Sequence, residues 1–303
     1  MKKIIAIMLA TLSLSVFAGQ QVPIVWPFAP GATEGVFIRT MIEEANKQQS
    51  KYTFYFESKP GAGGTVGARY VQSYNGIAIL SSSSSFFARP EFYPLESYQT
   101  SDFTPVMIEC TGQPYVVLSS KYKTIEDLRK QKNLTVGVIL GAMAEVQARQ
   151  LQLQLPDTKL TFVGFNGTLQ GTQEVIAGRM DLNISVPEDS KDWIATGKVN
   201  AIGISGTKNL PNLKTFQSQG VKGFEELVGN YMMVTRTDVP SATVSEIHDI
   251  LMQAARSAPT LTTLYDSAAC IPADTTLEQA NKSYAKWKAY WPEKLQSLKN
   301  INN

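Results

Sequence analysis

Histidine is nearly absent from this chain of 303 residues: His248 stands alone, and Cys110 and Cys270 are the two cysteines. A zinc site of the usual thiolate and imidazole type needs more of both, unless carboxylates supply the ligands. A Ser-His-carboxylate hydrolase needs its imidazole buried against an acid and facing a nucleophile. His248 instead falls in Ser245-Glu246-Ile247-His248-Asp249, where helical spacing puts it on the polar, solvent-facing side of an amphipathic helix. Neither sign of charge dominates, with 28 Lys and Arg against 26 Asp and Glu. A general nucleic-acid binder needs a basic excess, so that class is excluded, although a local anion site is not. Beyond the N-terminus there is no long apolar run, so no later segment is expected to cross a bilayer. Both common nucleotide-binding glycine signatures are missing: Val66 stands where the third glycine of G-x-G-x-x-G would fall after Gly61 and Gly63, and no GK[ST] follows.

What is present begins with an export signal. Met1-Lys2-Lys3 leads into an apolar stretch over 4–16, then Val16-Phe17-Ala18. A basic start, a short apolar core and small residues before the cut mark a secretory signal peptide over 1–18, cleaved after Ala18. Its removal takes away Lys2 and Lys3 and leaves 26 charges of each sign. The mature chain is expected to be soluble, monomeric and periplasmic. In that oxidising compartment the two cysteines either pair or stay free; the sequence leaves this open.

Two glycine- and proline-rich stretches carry the candidate chemistry. The first, Trp26-Pro27-Phe28-Ala29-Pro30-Gly31-Ala32-Thr33-Glu34-Gly35, lies between a strand-like run and a helix-like run. The second, Lys59-Pro60-Gly61-Ala62-Gly63-Gly64-Thr65-Val66-Gly67-Ala68, has the same setting. Glycine permits positive φ and brings bare backbone N–H groups to a surface. A helix N-terminus behind such a loop leaves donors unpaired and carries partial positive charge, which suits a carboxylate or phosphate. Either stretch is equally readable as a plain strand-to-helix turn. Two of them near the start of an α/β pattern, however, fall at strand carboxyl ends, where such sheets bind ligands.

The rest of the chain alternates. A short strand, Gly76-Ile77-Ala78-Ile79-Leu80, feeds Ser81-Ser82-Ser83-Ser84-Ser85-Phe86-Phe87, read as a binding loop with hydroxyl donors and aromatic walls. Thr124 is a helix N-cap with acids in the first turn, and Gly178 is a C-cap. Strand and helix signals follow one another to about residue 204, which implies parallel sheets covered by helices. Two helices close the chain, the last interrupted or bent at Pro292. Extended crossings near 103–118 and 224–239 suggest a two-lobed α/β clamshell that closes about a hinge. Its first lobe would comprise 19–110 and 231–303, its second 111–230.

Several segments, taken in order, resemble one family. Pro27-Phe28-Ala29-Pro30-Gly31 resembles the PFAPGG loop of Bug-type periplasmic solute-binding proteins of tripartite tricarboxylate transporters. Glu57-Ser58-Lys59-Pro60-Gly61-Ala62-Gly63-Gly64-Thr65-Val66-Gly67-Ala68 is similar to their EN(R/K)PGAGG-x-x-GA stretch. Gly178-Arg179-Met180-Asp181-Leu182, Gly197-Lys198 with 201–205, and Gly223-Phe224-Glu225 resemble later family segments. The resemblance implies a periplasmic binding fold of the type II kind, a ligand carboxylate held by first-lobe backbone amides and waters, and delivery to integral-membrane permease subunits. It implies no enzyme activity, cofactor or metal.

On this reading the first-lobe site comprises Pro27, Phe28, Ala29, Gly31, Ala32, Thr33, Gly61, Gly63, Gly64, Thr65, Ser82, Ser83, Ser84, Ser85 and Phe86. The second lobe adds Leu140, Gly141, Ala142, Met143, Asn166, Gly167, Thr168 and Ser185. The chain departs from the family in three places. Glu34-Gly35 replaces a frequent Asp, Val138 to Glu145 lacks the serines and histidine of GSSG-x-GS-x-x-H, and Ser185-Val186 replaces a D-N pair. Leu140, Met143, Phe86 and Phe87 would make a more apolar pocket, so a ligand with an apolar or aromatic body behind its carboxylate is expected. Glu34 either meets a ligand amino group or simply favours its helix N-terminus. Glu188 and Asp189 are either solvated or line the cleft mouth. Trp26 either stacks on ligand or packs its own loop. A periplasmic sensor presenting its closed form to a receptor kinase is the alternative function.

Overall fold

β1 (Gln20–Trp26) and β2 (Tyr52–Ser58) pair in parallel across helix α1 (Thr33–Gln48). After its first two residues β1 is buried throughout, as a strand covered on both faces must be. The structure, a computed structural model, describes residues 19–273, 275–299 and 301. The predicted signal peptide, 1–18, lies outside the described residues. Next come α2 (Thr65–Ser73), β3 (Ile79–Ser82), α3 (Ser85–Phe92) and β4 (Phe103–Gln113). β4 runs almost directly into a second group: β5 (Val116–Ser119), α4 (Ile125–Arg129), β6 (Asn133–Val138), α5 (Met143–Gln154), β7 (Lys159–Gly164), α6 (Thr168–Ile176), β8 (Leu182–Ser185), α7 (Pro187–Ala195) and β9 (Asn200–Ile204). The chain returns through β10 (Gly229–Arg236), α8 (Ser241–Ser257), α9 (Pro259–Ser267), β11 (Ile271–Pro272) and α10 (Leu277–Lys299).

The result is a two-lobed α/β fold with one sheet per lobe. The first sheet runs β11-β4-β10-β3-β1-β2 and the second β7-β6-β8-β5-β9. In the first, β1, β2 and β3 are parallel while the returning β10 is antiparallel to β3 and β4. In the second, β6, β7 and β8 are parallel and β5 is antiparallel to β8 and β9. One apolar core packs α1 and α8 on the first sheet through Ile24, Phe37, Met41, Ile247 and Leu251. A second, around Phe86, Tyr98, Tyr284 and Trp291, continues into the other lobe through Val136 and Leu151. Cys110 and Cys270 form a disulfide that ties the chain before β11 to β4 across a sequence separation of 160.

Local signals act where expected. Thr124 Oγ1 accepts from Asp127 N at 3.2 Å, and Asp127 Oδ2 accepts from Thr124 N at 3.1 Å, a complete capping box. Gly178, just past α6, has φ +74°. Three expectations are corrected. The serine run is mostly not loop: β3 continues to Ser82, α3 starts at Ser85, only Ser83 and Ser84 connect them, and all five serines are buried. α10 continues through Pro292, because Leu295 and Leu298 beyond it are buried and their packing offsets the missing N–H. His248 is buried rather than exposed, with Nδ1 2.8 Å from the Val106 carbonyl oxygen. It fastens α8 to β4.

Candidate functional site

The first loop leaves β1 and turns inward. Trp26 Nε1 donates to Ala29 O at 3.2 Å, Ser58 Oγ donates to Phe28 O at 3.0 Å, and the Trp26 and Phe28 rings meet edge to face. This fixes the loop so that Phe28, Ala29, Ala32, Thr33 and Glu34 wall a cavity between the lobes. The first lobe adds Ser83, Ser85 and Tyr231; the second adds Ala142, Met143, Gly167, Thr168 and Asp189. Trp26, Gln113, Tyr115, Ile139, Ala144 and Val186 complete the wall. The cavity has a volume of about 60 Å³.

Four helices begin at this wall. Ala32 before α1, Ala142 before α5, Gly167 before α6 and Val186 before α7 all line the cavity, and none of these N-caps has a side-chain capping bond. Each helix start contributes partial positive charge and unpaired donors. The protein fills two of these starts itself, those of α1 and α5. Asp189 accepts from Thr33 N at 2.9 Å, from Thr33 Oγ1 at 2.7 Å and from Thr168 Oγ1 at 2.8 Å. Further bonds close the lobes on each other: Ala29 N to Asn166 O at 3.0 Å, Met143 N to Ser85 Oγ at 3.0 Å, and Tyr93 Oη to Glu145 Oε2 at 3.1 Å. This is a closed clamshell.

The electrostatics of the wall run against the helix starts. No Lys, Arg or His lines the cavity among the described residues. Lys59 pairs with Glu57 and lies over the Tyr70 ring. Arg39 donates to Pro30 O and stacks on Phe56, and Arg69 donates to Glu96 O. Glu34, only 5 % exposed, is held well above the usual carboxylate range by burial and by Glu109 and Asp189 nearby. Glu109 behind it is also raised by burial, although hydrogen bonds from Glu34 and Ser81 work the other way. Burial therefore favours the protonated form of both acids, of Glu34 more strongly. Burial likewise pushes the Tyr115 phenol up to about 12.

The second glycine loop has a different place. Gly61, Ala62, Gly63 and Gly64 all have positive φ. A Cβ on Gly67 would fall 2.7 Å from Pro27 Cβ, so the loop backs the first one. A Cβ on Gly63 would fall 2.1 Å from Leu140 O of the other lobe. Gly63, Leu140 and Asn166 border a second, outer cleft with Arg89 and Tyr93. There Arg89 donates to Thr65 Oγ1, lies over the Tyr93 ring and presses on Gly141.

The remaining predicted residues support the wall from behind. Pro27 sits under Gly64, and Gly31 faces Leu169. Ser82 pairs with Met232 in the sheet, Ser84 accepts from Asn230 N, and Ser185 accepts from Ser190 Oγ. Phe86 is fully buried against Tyr98, Phe103 and Tyr284. The cavity's aromatic character comes instead from Trp26, Phe28, Tyr115 and Tyr231. Of the residues the sequence left undecided, Trp26, Glu34 and Asp189 all reach the cavity. Gln113, Tyr115 and Tyr231 gave no motif signal; their place in the two segments that cross between lobes is the one clue.

A buried cavity between two α/β lobes joined by crossing strands, ringed by helix starts, defines a ligand-binding protein of the periplasmic clamshell class. The chain belongs to the family described as Tripartite tricarboxylate transporter family receptor (TctC), whose sequence pattern matches residues 37–290. A "UPF0065 protein in tcbD-tcbE intergenic region" of Pseudomonas sp. (strain P51) is 26 % identical over 221 residues, 68 % of this chain. The match spans 66 % of that relative, a little under two thirds of its length. Among solved structures, the periplasmic binding protein BugD superposes with a TM-score of 0.81 at 21 % identity, covering 92 % of this chain and 97 % of BugD. Rpa4515 of R. palustris, solved with adipate, gives 0.81 at 19 % identity and the same coverages of 92 % and 97 %. The family is one of solute-binding receptors, and its structural neighbours are periplasmic binding proteins.

Proposed function

We propose that this chain is exported, cleaved after Ala18, and works in the periplasm as a receptor that captures a small organic acid and hands it to membrane permease subunits. The observation that carries this reading is the convergence of four helix N-termini, none capped by its own N-cap side chain, on one cavity between the lobes. Buried helix starts favour an anionic group, and their attraction is screened less there than in water. Adipate in the similar Rpa4515 supports a carboxylate as that group. The binding surface comprises Phe28 to Thr33, Ser83 and Ser85 on one side, and Ala142, Met143, Gly167 and Thr168 on the other. The glycine loop Gly61 to Thr65 shapes the closed state. Closure seals the ligand and presents a joint surface of both lobes to the permease.

A thermal-shift screen of refolded mature protein tests this, using mono-, di- and tricarboxylates, aromatic acids and amino acids. A ligand at about 100 times its dissociation constant should add roughly 2.7 kcal/mol. A shift confined to one class of acid is the expected outcome. No shift from any carboxylate, with protein shown folded and ligand-free, would overturn the reading.

A further inference from the structure

Two buried oxygens of the cavity wall lack a donor among the described residues. Glu34 Oε1 and Gln113 Oε1 both belong to wall residues, both side chains are more than nine-tenths buried, and neither oxygen has a hydrogen-bond partner among the described residues. Native proteins rarely leave such groups unpaired, because each lost partner costs the full desolvation of the atom. Asp189 does not compete for the same role: its oxygens already accept three bonds that close the lobes. Glu34 is the acid of the wall with an oxygen to spare.

From this juxtaposition we infer that the ligand carries a protonated amine as well as its carboxylate, with Glu34 and Gln113 accepting the amine N–H groups. Deepening the organic-acid reading above, it rests on that reading for the carboxylate end only. Three further features fit an ammonium. The wall has no cationic side chain to repel it. Trp26, Phe28, Tyr115 and Tyr231 offer π-faces, which attract cations. Glu109 stands behind Glu34 and accepts from Ser81 Oγ at 2.9 Å, so a second carboxylate backs the first. Burial favours protonated Glu34 in the ligand-free protein, and an ammonium beside it favours release of that proton. The charged and titratable groups facing Glu34 are Glu109 from β4, Asp189 from α7, Tyr231 from β10, Tyr115 before β5 and Tyr265 from α9. None of them supplies a positive charge.

Matched probes isolate the amine: succinate against L-aspartate, glutarate against L-glutamate, and butyrate against 4-aminobutyrate. Titration calorimetry on refolded mature protein should give, in at least one pair, at least tenfold tighter binding of the amino member. Repeated in buffers of different ionisation enthalpy at pH 7, it should show proton release with the amino member alone. Glu34→Gln should remove most of that preference. Gln113→Leu should weaken the amino member similarly, and serves if Glu34→Gln fails to fold. Equal or tighter binding of the des-amino acids by the unaltered protein overturns the inference and leaves the organic-acid reading intact. Binding of 1,4-diaminobutane with no carboxylate bound does the reverse. No binding by any probe to folded protein overturns both.

Discussion

At the scale of single residues, Glu34 is the informative position. Its carboxyl is held above the ordinary value, first by burial and then by Glu109 and Asp189. The folded protein therefore keeps a proton that the unfolded chain has released. By linkage, the associated stability is full below the unfolded value and is lost as pH rises through the folded one. Glu34→Gln mimics the protonated state, so its stability should gain on the unaltered protein as pH rises. Ligand-free melting at pH 5 and pH 8 checks this: the variant should lead at pH 8 by about 2 °C or more for each kcal/mol, and the lead should shrink at pH 5. A lead of the same size at both pH values would show that the proton is held elsewhere. At residue scale the sequence made Glu34 visible but not its state, because nothing in the chain order puts Glu109, 75 positions away by number, behind it.

Loops and helices set the closure. Gly63 sits at φ +60° with Leu140 O where a Cβ would be. Left-handed backbone costs an alanine roughly 1–2 kcal/mol, but the collision with the other lobe is present only when the lobes meet. Gly63→Ala should therefore lower ligand-free stability modestly and weaken ligand binding by about tenfold or more. Small-angle scattering should show the variant staying more extended at saturating ligand; a normal compaction with unchanged affinity would refute the closure role. Asp189 acts at the same level, tying the start of α7 to those of α1 and α6. A hydrogen bond to a charged acceptor contributes about 1.5–3 kcal/mol. Asp189→Ala should thus weaken ligand binding roughly 10- to 100-fold by calorimetry, with the ligand-free melting temperature changed far less.

For the whole molecule, the disulfide and the returning segment decide cohesion. Cys110–Cys270 fastens the chain leading to β11 onto β4, within the first sheet and away from the cavity wall. A native disulfide of this loop length typically stabilises by about 2–5 kcal/mol. The Cys110→Ser, Cys270→Ser double variant should lose about that much in urea unfolding and keep its ligand affinity within about twofold. A larger affinity loss would mean that the C-terminal segment takes part in closure.

The sequence by itself determined the two-lobed α/β alternation, the first loop's place at a strand end, and the presence of a helix behind each of the two glycine-rich loops. All of these follow from short-range rules: periodicity, glycine and proline punctuation, and capping. Family membership was legible too, since the motifs follow one another in order along the chain. Tertiary structure alone decided which helix starts share one cavity, and that Asp189 fills one of them. Tertiary packing also sent Phe86 and His248 into the interior, where their neighbours come from distant segments. Gln113, Tyr115 and Tyr231 joined the wall because the crossing segments pass between the lobes. The pairing of Glu34 with Glu109 and of Cys110 with Cys270 was settled the same way. Contacts between residues far apart in the chain follow from how sheets and helices stack, and no local pattern encodes that stacking.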